Sequence, residues 1–596
     1  MEPKPVHRDP IGLPRPKTRW IRSIVDLPIR LAERALGLGR IEELARAVEY
    51  GDPCKPASER VLDATGLLPR YAPEELARIP ESGSVAIFAN HPYGGADGAL
   101  LLALAMRRRS DVKILANDIL AVFPFMREHG ILVDPFGGSD AARRNAAALR
   151  EAIQWLKAGH VLIAFPAGEV SAVHWGEWTP QDPPWSTIPA RLALAAGARV
   201  VPVWFEGGNR PLFHAAGLVH PRLRTALLPN EFIARCGHEI EVRIGRAIAT
   251  SNATSSAELD PESLTRLVRG RCELLRRSRS APARTLPPQE PVGAPESTPD
   301  ELASELRALP PETRLFEVGA YDAFAVSARQ IPRVMREVGR LREIAFRAVG
   351  EGSGHAVDVD RFDETYVQLI LWNRESREVV GGYRAGVVDE VTPGVGVAGL
   401  YTSTLFDYSP TILDQLSNSV ELGRSFVRVE YQRQPTPLSL LWRAIAVFMI
   451  TRGHRRMFGP VSISNDYDSM SKELIMQFLE RHRLSTPFAK LVTPRHPPAR
   501  RSIPCWTDRE SAQATSDIHH VERLIEEIER GQRAVPVLLR QYLRLNANLL
   551  AFNVDPDFGD VLDALMMIDI AQIDERIVRH YAGDEAVELI KSRIGG

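Results

Sequence analysis

Between Ser84 and Ala249 short apolar runs alternate with longer segments in which apolar residues recur every three or four positions. The short runs predict six strands, SVAIFAN, VKILAN, GILVDP, HVLIAFPAG, RVVPVWFEG and HEIEVRIG. The longer segments predict three helices, GALLLALAMRRR, SDAARRNAAALREAIQWLKAG and IPARLALAAGA. This alternation favours an α/β domain with a mixed, largely parallel sheet, and in such sheets functional sites lie at the carboxyl ends of strands.

The pattern changes after residue 312. RLREIAFRAVGEG predicts a helix, and TYVQLILWNRESREVVGGYRAGVVD predicts two strands joined by the polar turn NRESRE. A strand (SVELGRSFVRVEYQ), a helix (PLSLLWRAIAVFMITRG) and a strand (MFGPVSIS) follow. Helix, hairpin, strand, helix and strand in this order favour a second domain of the α+β class.

Composition divides the chain into four parts. Residues 276–312 are rich in Pro, Ala, Ser and charge and predict a linker between domains at 51–275 and 313–596. Residues 1–50 contain a Pro-rich basic arm and an apolar, arginine-containing helical pattern. Such a helix can lie on an anionic membrane surface. Packing against its own domain is the alternative, and Pro28 interrupts the periodicity.

Overall composition excludes several classes of function. The 596 residues carry a net charge of −1, which does not favour nucleic-acid binding. The four cysteines form no C-x-x-C pair, so no metal site is expected and a reducing compartment is favoured. No signal peptide and no apolar stretch long enough to span a bilayer are evident. We therefore expect a cytoplasmic protein with peripheral contact to the inner face of the cytoplasmic membrane.

The stretch IFANHPYGGADGALLLA places His91 and Asp97 at the end of a predicted strand, with small residues between them. A neutral imidazole can accept a proton near pH 7. An acid at Nδ1 would fix its tautomer and leave Nε2 as the base. The alternative is that Asp97 only caps the following helix.

Other predicted strand ends carry polar residues as well. Asp134 follows GILV, with Arg144 on the next predicted helix, and Glu169 follows the strand that ends at Phe165. Each of these side chains, taken alone, is compatible with a solvated surface. Together they predict a site that holds an anionic or hydroxylated substrate beside a base.

Four blocks of this region resemble the glycerolipid (lysophospholipid) acyltransferase family. They are Asn90-His91…Asp97, Gly130…Asp134, the Phe165–Ser171 block FPAGEVS, and Val201-Pro202-Val203. The resemblance implies that His91 deprotonates an acceptor hydroxyl, which attacks an acyl thioester, and that Asp97 supports His91. It also implies acceptor binding by the block containing Gly168, Glu169 and Ser171, and we expect Asp134 and Arg144 to bind substrate too. H-x5-D and F-P-A-G-E depart from the family pattern and leave the acceptor open.

Residues 330–575 resemble the ornithine-acyl-ACP N-acyltransferases, which have a GNAT-like fold. The resemblance rests on DRFDE…LIL…ELGRSFV…LLWRAI and on the tail beginning VPVLLRQYLRL. It implies transfer of a 3-hydroxyacyl chain from acyl carrier protein to an amino acid. Glu421 and Arg424 are expected in the acceptor or donor site, with Glu421 as a candidate general base; a surface ion pair is the alternative. RQPTPLS replaces the usual pyrophosphate loop, which disfavours coenzyme A in its standard pose.

Taken together, the two halves resemble the bifunctional ornithine lipid (aminolipid) synthases. The resemblance implies acyl carrier protein, an amino acid and a lyso-lipid as partners, with acyl-ACP or acyl-CoA as donor and no other cofactor. Three alternatives stay open: a lysophospholipid acyltransferase with a non-catalytic second domain, a haemolysin-like lipid hydrolase or lytic protein, and a non-catalytic lipid-surface module. No G-x-S-x-G elbow supports hydrolysis. Ornithine is the favoured amino acid, with glycine, glutamine and lysine as alternatives.

Overall fold

The computed structural model describes residues 37–122, 124–134, 139–173, 179–250, 259–276 and 289–593. The chain divides into two compact units at Ser278, and the later segment Ser502–Ser511 belongs to the first unit. The basic arm and the amphipathic pattern up to residue 36 lie outside the described residues. From Leu38 onward that pattern is a helix.

The first unit is an α/β domain. Its strands are β1 (Leu68–Arg70), β2 (Val85–Ala89), β3 (Val112–Asn117), β4 (Gly130–Val133), β5 (Val161–Ala164), β6 (Arg199–Phe205) and β7 (Glu239–Ile244). Its helices are α1 (Leu38–Glu49), α2 (Ala57–Thr65), α3 (Pro73–Leu76), α4 (Gly95–Met106), α5 (Pro124–His129), α6 (Ser139–Lys157), α7 (Ile188–Ala195), α8 (Pro211–Val219), α9 (Pro221–Arg235) and α10 (Pro261–Arg276).

The strands form one sheet in the order β1-β7-β6-β2-β5-β3-β4. Only the β6–β7 pair is antiparallel, so the predicted largely parallel sheet is confirmed. All six predicted strands are present. The edge strand β1 was not predicted because its sequence, LPR, contains neither an apolar run nor an alternation.

Strand β2 lies at the centre of this sheet and is buried on both faces. Val85, Ile87 and Ala89 contact the apolar cluster that includes α4, whereas Ala86 and Phe88 contact the cluster that includes α6, α7 and α10. Helices cover both faces, which explains why this strand reads as a continuous apolar run rather than as an alternation. The carboxyl end of β2 is therefore held in a rigid layer.

The second unit is an α+β domain. Its strands are β8 (Arg314–Val318), β9 (Tyr321–Ser327), β10 (Val367–Asn373), β11 (Glu378–Val387), β12 (Phe406–Tyr408), β13 (Ser419–Val427), β14 (Arg456–Ile463), β15 (Val492–Pro494), β16 (Asn548–Asp555) and β17 (Val561–Asp569). Its helices are α11 (Pro299–Arg307), α12 (Pro332–Arg347), α13 (Val388–Val391), α14 (Ile412–Leu416), α15 (Pro435–Arg452), α16 (Ser469–Arg483), α17 (Thr486–Ala489), α18 (Asp508–Ala514, which crosses the boundary at Ser511), α19 (Ile518–Ile528), α20 (Val537–Arg544), α21 (Glu575–Ala582) and α22 (Asp584–Arg593).

Eight strands form the main sheet, in the order β16-β17-β14-β13-β11-β10-β9-β8. The predicted hairpin β10–β11 is antiparallel and pairs Asn373 with Glu378 across its turn. β13 and β14 are the one parallel pair of this sheet, and their ladder ends at Glu421 and Phe458. The α+β prediction is confirmed. The main sheet opens between β13 and β14, beyond the end of their ladder.

The prediction that residues 276–312 form a linker is wrong over helix α11. Thr298 accepts the backbone N–H of Glu301, whose carboxylate accepts the N–H of Thr298 in return. This reciprocal capping and Pro299 at the first helical position start the helix. Leu302 and Leu306 are buried against α12. Pro, Glu and Ser around the helix obscured its apolar positions.

No helix in the part of the chain that the structure describes is both long and apolar enough to cross a bilayer. The expected peripheral membrane contact therefore stays a prediction.

Gly386 of β11 lies opposite Glu421 of β13 and directly against the ring of Tyr366. A Cβ added at Gly386 would lie 2.5 Å from Tyr366 Cε2, closer than real Cβ contacts. Gly423, further along β13, has no atom within 4 Å of an added Cβ. The two glycines therefore form a matched pair on adjacent strands.

We expect Gly386→Ala to lower the free energy of unfolding by about 1–3 kcal/mol, because the Tyr366 ring has to move. Gly423→Ala is expected to leave it unchanged or slightly raised, since alanine loses less backbone entropy than glycine. Urea unfolding of the full chain measures both. Equal effects of the two substitutions would contradict the close packing of Tyr366 on β11.

Candidate active sites

The end of β2 is fixed before the His91 turn begins. The side-chain amide of Asn90 donates to the carbonyl of Phe205 at 3.0 Å, and the N–H of Phe205 donates back to Asn90 Oδ1 at 2.7 Å. Asn90 is buried, so this pair lies in a low-dielectric environment where hydrogen bonds are strong. It joins the residue after β2 to the last residue of β6 and sets the starting direction of the turn.

The turn itself brings His91 and Asp97 into contact. Gly94 has φ 80° and ψ −116°, a conformation that a residue with a Cβ rarely adopts, and α4 begins at the next residue. Asp97 Oδ2 then accepts the backbone N–H groups of Tyr93 (2.9 Å) and Gly94 (3.0 Å) and lies 3.1 Å from His91 Nδ1. Asp97 is thus both the cap of α4 and the partner of His91. The sequence analysis treated these two roles as alternatives, and the structure shows both contacts.

The surroundings of this pair suit a general base. Asp97 is completely buried, and burial raises the pKa of its carboxyl, against the lowering effect of the His91 and backbone hydrogen bonds. The His91 ring stacks on Phe165 with centroids 4.2 Å apart, and its side chain is 18% exposed. With Nδ1 held by Asp97, Nε2 carries the free lone pair. The arrangement can accept a proton from a bound hydroxyl.

A third residue of this site, Asp182, was missed by the sequence analysis. Its Oδ1 accepts the backbone N–H of His91 at 3.3 Å and the hydroxyl of Ser171, and its Oδ2 accepts the indole N–H of Trp185 at 2.9 Å. The N–H of Ser171 also donates to the carbonyl of His91 at 2.9 Å. Asp182 therefore joins the His91 turn to the loop that follows β5. No motif spacing marks it, because its contact with His91 spans 91 residues of sequence.

The predicted acceptor-binding residues of the loop after β5 have different surroundings. The hydroxyl of Ser171 is buried and engaged by Asp182, so Ser171 positions the loop. Gly168 has φ +69°, and a Cβ added there would meet open space. Glu169 is 68% exposed and accepts a hydrogen bond from Arg224 of α9 at 2.7 Å. Gly168 and Glu169 are the residues of this block that remain accessible.

Asp134 and Arg144 form their own pair, 2.8 Å apart, at the end of β4. The Asn145 amide holds the backbone N–H and carbonyl of Asp134, each at 2.8 Å. β4 is the edge strand, and β5 and β3 lie between it and β2. Three strand spacings amount to about 14 Å. The Asp134–Arg144 pair thus lies three strands away from the His91 turn in the sheet, and its substrate-binding role stays a prediction.

In the second unit, Glu421 lies in the interior. It is 1% exposed and accepts four hydrogen bonds, from the Tyr366 hydroxyl, the Tyr401 N–H (2.8 Å), and the N–H (2.7 Å) and hydroxyl of Thr402. Burial, and then the Glu421 carboxylate, raise the pKa of Tyr366 well above its usual range. Glu421 therefore anchors the Tyr401–Thr404 turn, and its occupied lone pairs do not suit a general base.

Arg424, three residues after Glu421 on β13, has a strained backbone conformation. Its φ is +48°, next to the register shift of the β11–β13 ladder. The guanidinium lies 3.1 Å from Asp358 Oδ2 and 5.0 Å from the ring centroids of Tyr401 and Phe558. Its side chain is 13% exposed. The surface ion-pair alternative for Glu421 and Arg424 is wrong, because both side chains are largely buried and each has other partners.

A second arginine, Arg384 of β11, was also missed. It is 1% exposed and donates to Asp360 at 2.5 Å. The rings of Phe362, Tyr366 and Tyr401 surround its guanidinium at 5.2–5.6 Å. Its Nε and Nη2 are buried and have no hydrogen-bond partner among the described atoms. A buried donor without a partner is costly, which suits a group that meets an oxyanion of a bound ligand.

The opening between β13 and β14 has a buried acid on its other side. Ser462, beyond the end of the parallel ladder on β14, donates to Asp563 of β17 at 2.8 Å. The pKa of Asp563 is raised to about 8, chiefly by burial and also by the neighbouring Asp555 and Glu351, against the opposing effect of Ser462 and Arg424. Arg424 and Asp563 thus flank the opening with a cation and a proton-accepting acid. No motif marks Asp563, which lies among apolar residues near the start of β17.

The start of α15 corresponds to the RQPTPLS loop. Pro435 and Pro437 both lie in its first turn and supply no backbone N–H. An anion at this helix end therefore meets fewer donors than at an ordinary helix N-terminus. No cluster of three or more potential metal-ligating side chains occurs among the described residues.

Comparison with known proteins finds both units among acyltransferases. Residues 59–281 match the family described as Acyltransferase, and residues 341–443 match the Acetyltransferase (GNAT) domain. A glycine N(alpha)-acyltransferase of Phocaeicola vulgatus is 31% identical over 278 residues, which are 44% of this chain and 83% of that protein. A lyso-glycine lipid O-acyltransferase of the same organism is 32% identical over 142 residues, 23% of this chain and 48% of that protein.

Among solved structures, the 1-acyl-sn-glycerophosphate acyltransferase PlsC of Thermotoga maritima is 18% identical, with a TM-score of 0.24, over 40% of this chain and 79% of that one. The family matches confirm the predicted acyltransferase and GNAT-like domains. The chain is therefore an acyl-transferring enzyme, and it belongs to the acyltransferase family that includes the glycine N(alpha)-acyltransferase of Phocaeicola vulgatus.

Proposed function

We propose that this chain makes a two-chain aminolipid by two successive acyl transfers. The second unit acylates the α-amino group of an amino acid with a 3-hydroxyacyl chain, and the first unit then acylates the 3-hydroxyl. The observation that carries the proposal is that one chain resembles both a glycine N(alpha)-acyltransferase and a lyso-glycine lipid O-acyltransferase. Those names favour glycine as head group, whereas the ELGR-type sequence pattern favours ornithine, so both amino acids are to be tested.

In the proposed O-acylation, His91 Nε2 removes the proton of the 3-hydroxyl as the oxygen attacks the acyl thioester. The thiol of the donor leaves, and the oxygen–carbon ester bond replaces the carbon–sulfur bond. Asp97 keeps Nδ1 protonated and stabilises the imidazolium that forms. Gly168 and Glu169, the accessible residues of the loop after β5, are the proposed contacts of the acceptor.

In the proposed N-acylation, an ammonium group must lose a proton before its nitrogen can attack the thioester. Asp563 suits this step better than Glu421, because its pKa is about 8 and Glu421 already accepts four hydrogen bonds. The amino-acid carboxylate is proposed to meet Arg424 or Arg384. These assignments replace the sequence-based suggestion of Glu421 as the base.

Acyl carrier protein is the proposed donor of the second unit. The two prolines in the first turn of α15 leave few N–H groups for the pyrophosphate of coenzyme A. A carrier protein instead brings a single phosphodiester and its own surface contacts. Neither transfer needs a metal or a further cofactor, and we propose that both take place at the inner face of the cytoplasmic membrane.

Lipid extraction from a host without aminolipids tests the two steps. Wild type is expected to yield a diacylated amino-acid lipid. His91→Ala is expected to accumulate the monoacylated intermediate, with O-acylation reduced by about 10²–10⁴-fold. Mass spectrometry identifies the products and the head group. Altered phospholipid chains with no aminolipid, from folded protein, would instead support a lysophospholipid acyltransferase with a non-catalytic second unit.

Asp182→Asn tests whether this residue positions His91. The asparagine keeps an acceptor but weakens the charge-assisted bonds to the His91 and Ser171 segments. We expect kcat of O-acylation to fall by about ten-fold with KM nearly unchanged, because a shifted base affects mainly the transition state. Glu169→Gln, at an exposed position, is the control and is expected to change KM more than kcat. The reverse pattern would rule out a positioning role for Asp182.

Asp563 also makes stability depend on pH. Its carboxyl binds a proton up to about pH 8 in the folded chain, but only up to about pH 4 when unfolded. The folded state therefore holds the extra proton between these values, and the free energy of unfolding falls as pH rises. Asp563→Asn is expected to flatten this fall in urea titrations at pH 5 and pH 8.5. Asp414→Asn, at an exposed position, is the control. An unchanged slope for Asp563→Asn would contradict the raised pKa.

A further inference from the structure

Helix α8 exposes an apolar face. Leu212 is 68% exposed and Val219 is 78% exposed, and Ala215 between them is exposed as well. Their spacing of three and four residues places them on one side of the helix. Phe213 and His214, on the other side, are buried. A surface helix normally has the opposite arrangement, with polar residues toward solvent.

Helix α9 continues this surface. Leu223 is 49% exposed, and Arg222 beside it is exposed. Residues 211–230, PLFHAAGLVHPRLRTALLPN, contain two arginines and two histidines but no Asp or Glu. The α8–α9 face, defined here as Leu212, Ala215, Val219, Arg222 and Leu223, is therefore apolar and carries one exposed arginine, with no Asp or Glu in residues 211–230.

The other side of α9 supports the His91 turn. A Cβ added at Gly94 or Gly95 would lie 3.4 Å from Leu228 and 3.1 Å from Phe232, respectively, which shows how closely α9 packs there. Arg224 of the same helix holds Glu169 of the loop after β5. One helix thus separates the α8–α9 face from the candidate active site of the first unit.

We propose that the α8–α9 face docks the first unit on an anionic lipid bilayer. Leu212, Val219 and Leu223 enter the boundary between headgroups and acyl chains, while Arg222 meets anionic headgroups. The absence of acids from residues 211–230 is the charge complementarity that favours such a surface over a neutral or basic partner. The purpose of docking, access of a lipid acceptor to His91, rests on the proposed function.

Vesicle sedimentation of the full-length protein tests this docking. The probes are vesicles of phosphatidylglycerol with phosphatidylcholine, and of phosphatidylcholine alone. The double variant Leu212→Asp with Val219→Asp is expected to bind the anionic vesicles at least ten-fold more weakly than wild type. The matched control is Val395→Asp with Val537→Asp, because these valines are 59% and 54% exposed in the second unit. That control is expected to bind as wild type does.

Arg222→Glu, a single exposed substitution, separates loss of binding from loss of folding. It is expected to weaken binding to the anionic vesicles and to leave the thermal unfolding midpoint unchanged. Wild-type binding by both the double variant and Arg222→Glu would overturn the proposal. So would a change of oligomeric state in the double variant with unchanged vesicle binding, which would make the face a contact between copies. Loss of vesicle binding only on deletion of residues 1–36 would overturn it as well.

The vesicle test is independent of catalysis. His91→Ala is expected to sediment with anionic vesicles as wild type does. Intact vesicle binding together with no aminolipid in cells would contradict the proposed function and leave docking supported. Aminolipid synthesis by a chain that binds no vesicles would contradict docking alone.

Discussion

The first unit depends on one buried carboxylate oxygen. Oδ2 of Asp97 receives two backbone N–H groups at the start of α4 and the imidazole of His91. The oxygen therefore fixes where the helix begins and how the imidazole is oriented at the same time. A change that loosens the helix start also shifts the imidazole. The stability of this turn and the position of its imidazole therefore depend on the same three contacts of Asp97.

The second unit also contains a buried acid that accepts backbone N–H groups. Glu421 is buried and binds two consecutive backbone N–H groups of the turn at Tyr401 and Thr402. In both units an acid withdrawn from solvent shapes the loop, and a group proposed to meet a ligand lies nearby. In the first unit that group is His91. In the second it is the buried Arg384, whose Nε and Nη2 have no partner among the described atoms. Asp97 and Glu421, the acids that the sequence analysis singled out, thus each hold the backbone of a turn.

Local features of the molecule were predictable from the sequence. β2 is a continuous apolar run because both its faces are covered, and His91 and Asp97 are close in sequence as well as in space. Asp182 and Asp563 were missed because their contacts with His91 and Ser462 depend on long-range packing. Asp134 also follows a strand, but that strand is at the sheet edge, so its predicted role in substrate binding is not decided by the strand end alone. Sheet order decides which strand ends are neighbours, and no local pattern reveals it.

The parallel ladder between β13 and β14 stops after three residue pairs, although β13 extends to Val427 and β14 to Ile463. Beyond that point each strand keeps its ladder on its outer side only. Backbone amides on the inner sides consequently favour a guest that is itself extended and rich in amides. A pantetheine arm has this form, whether a protein or a nucleotide carries it. If the donor proposed for the second unit places such an arm here, selectivity for its carrier has to arise at the surface around the opening.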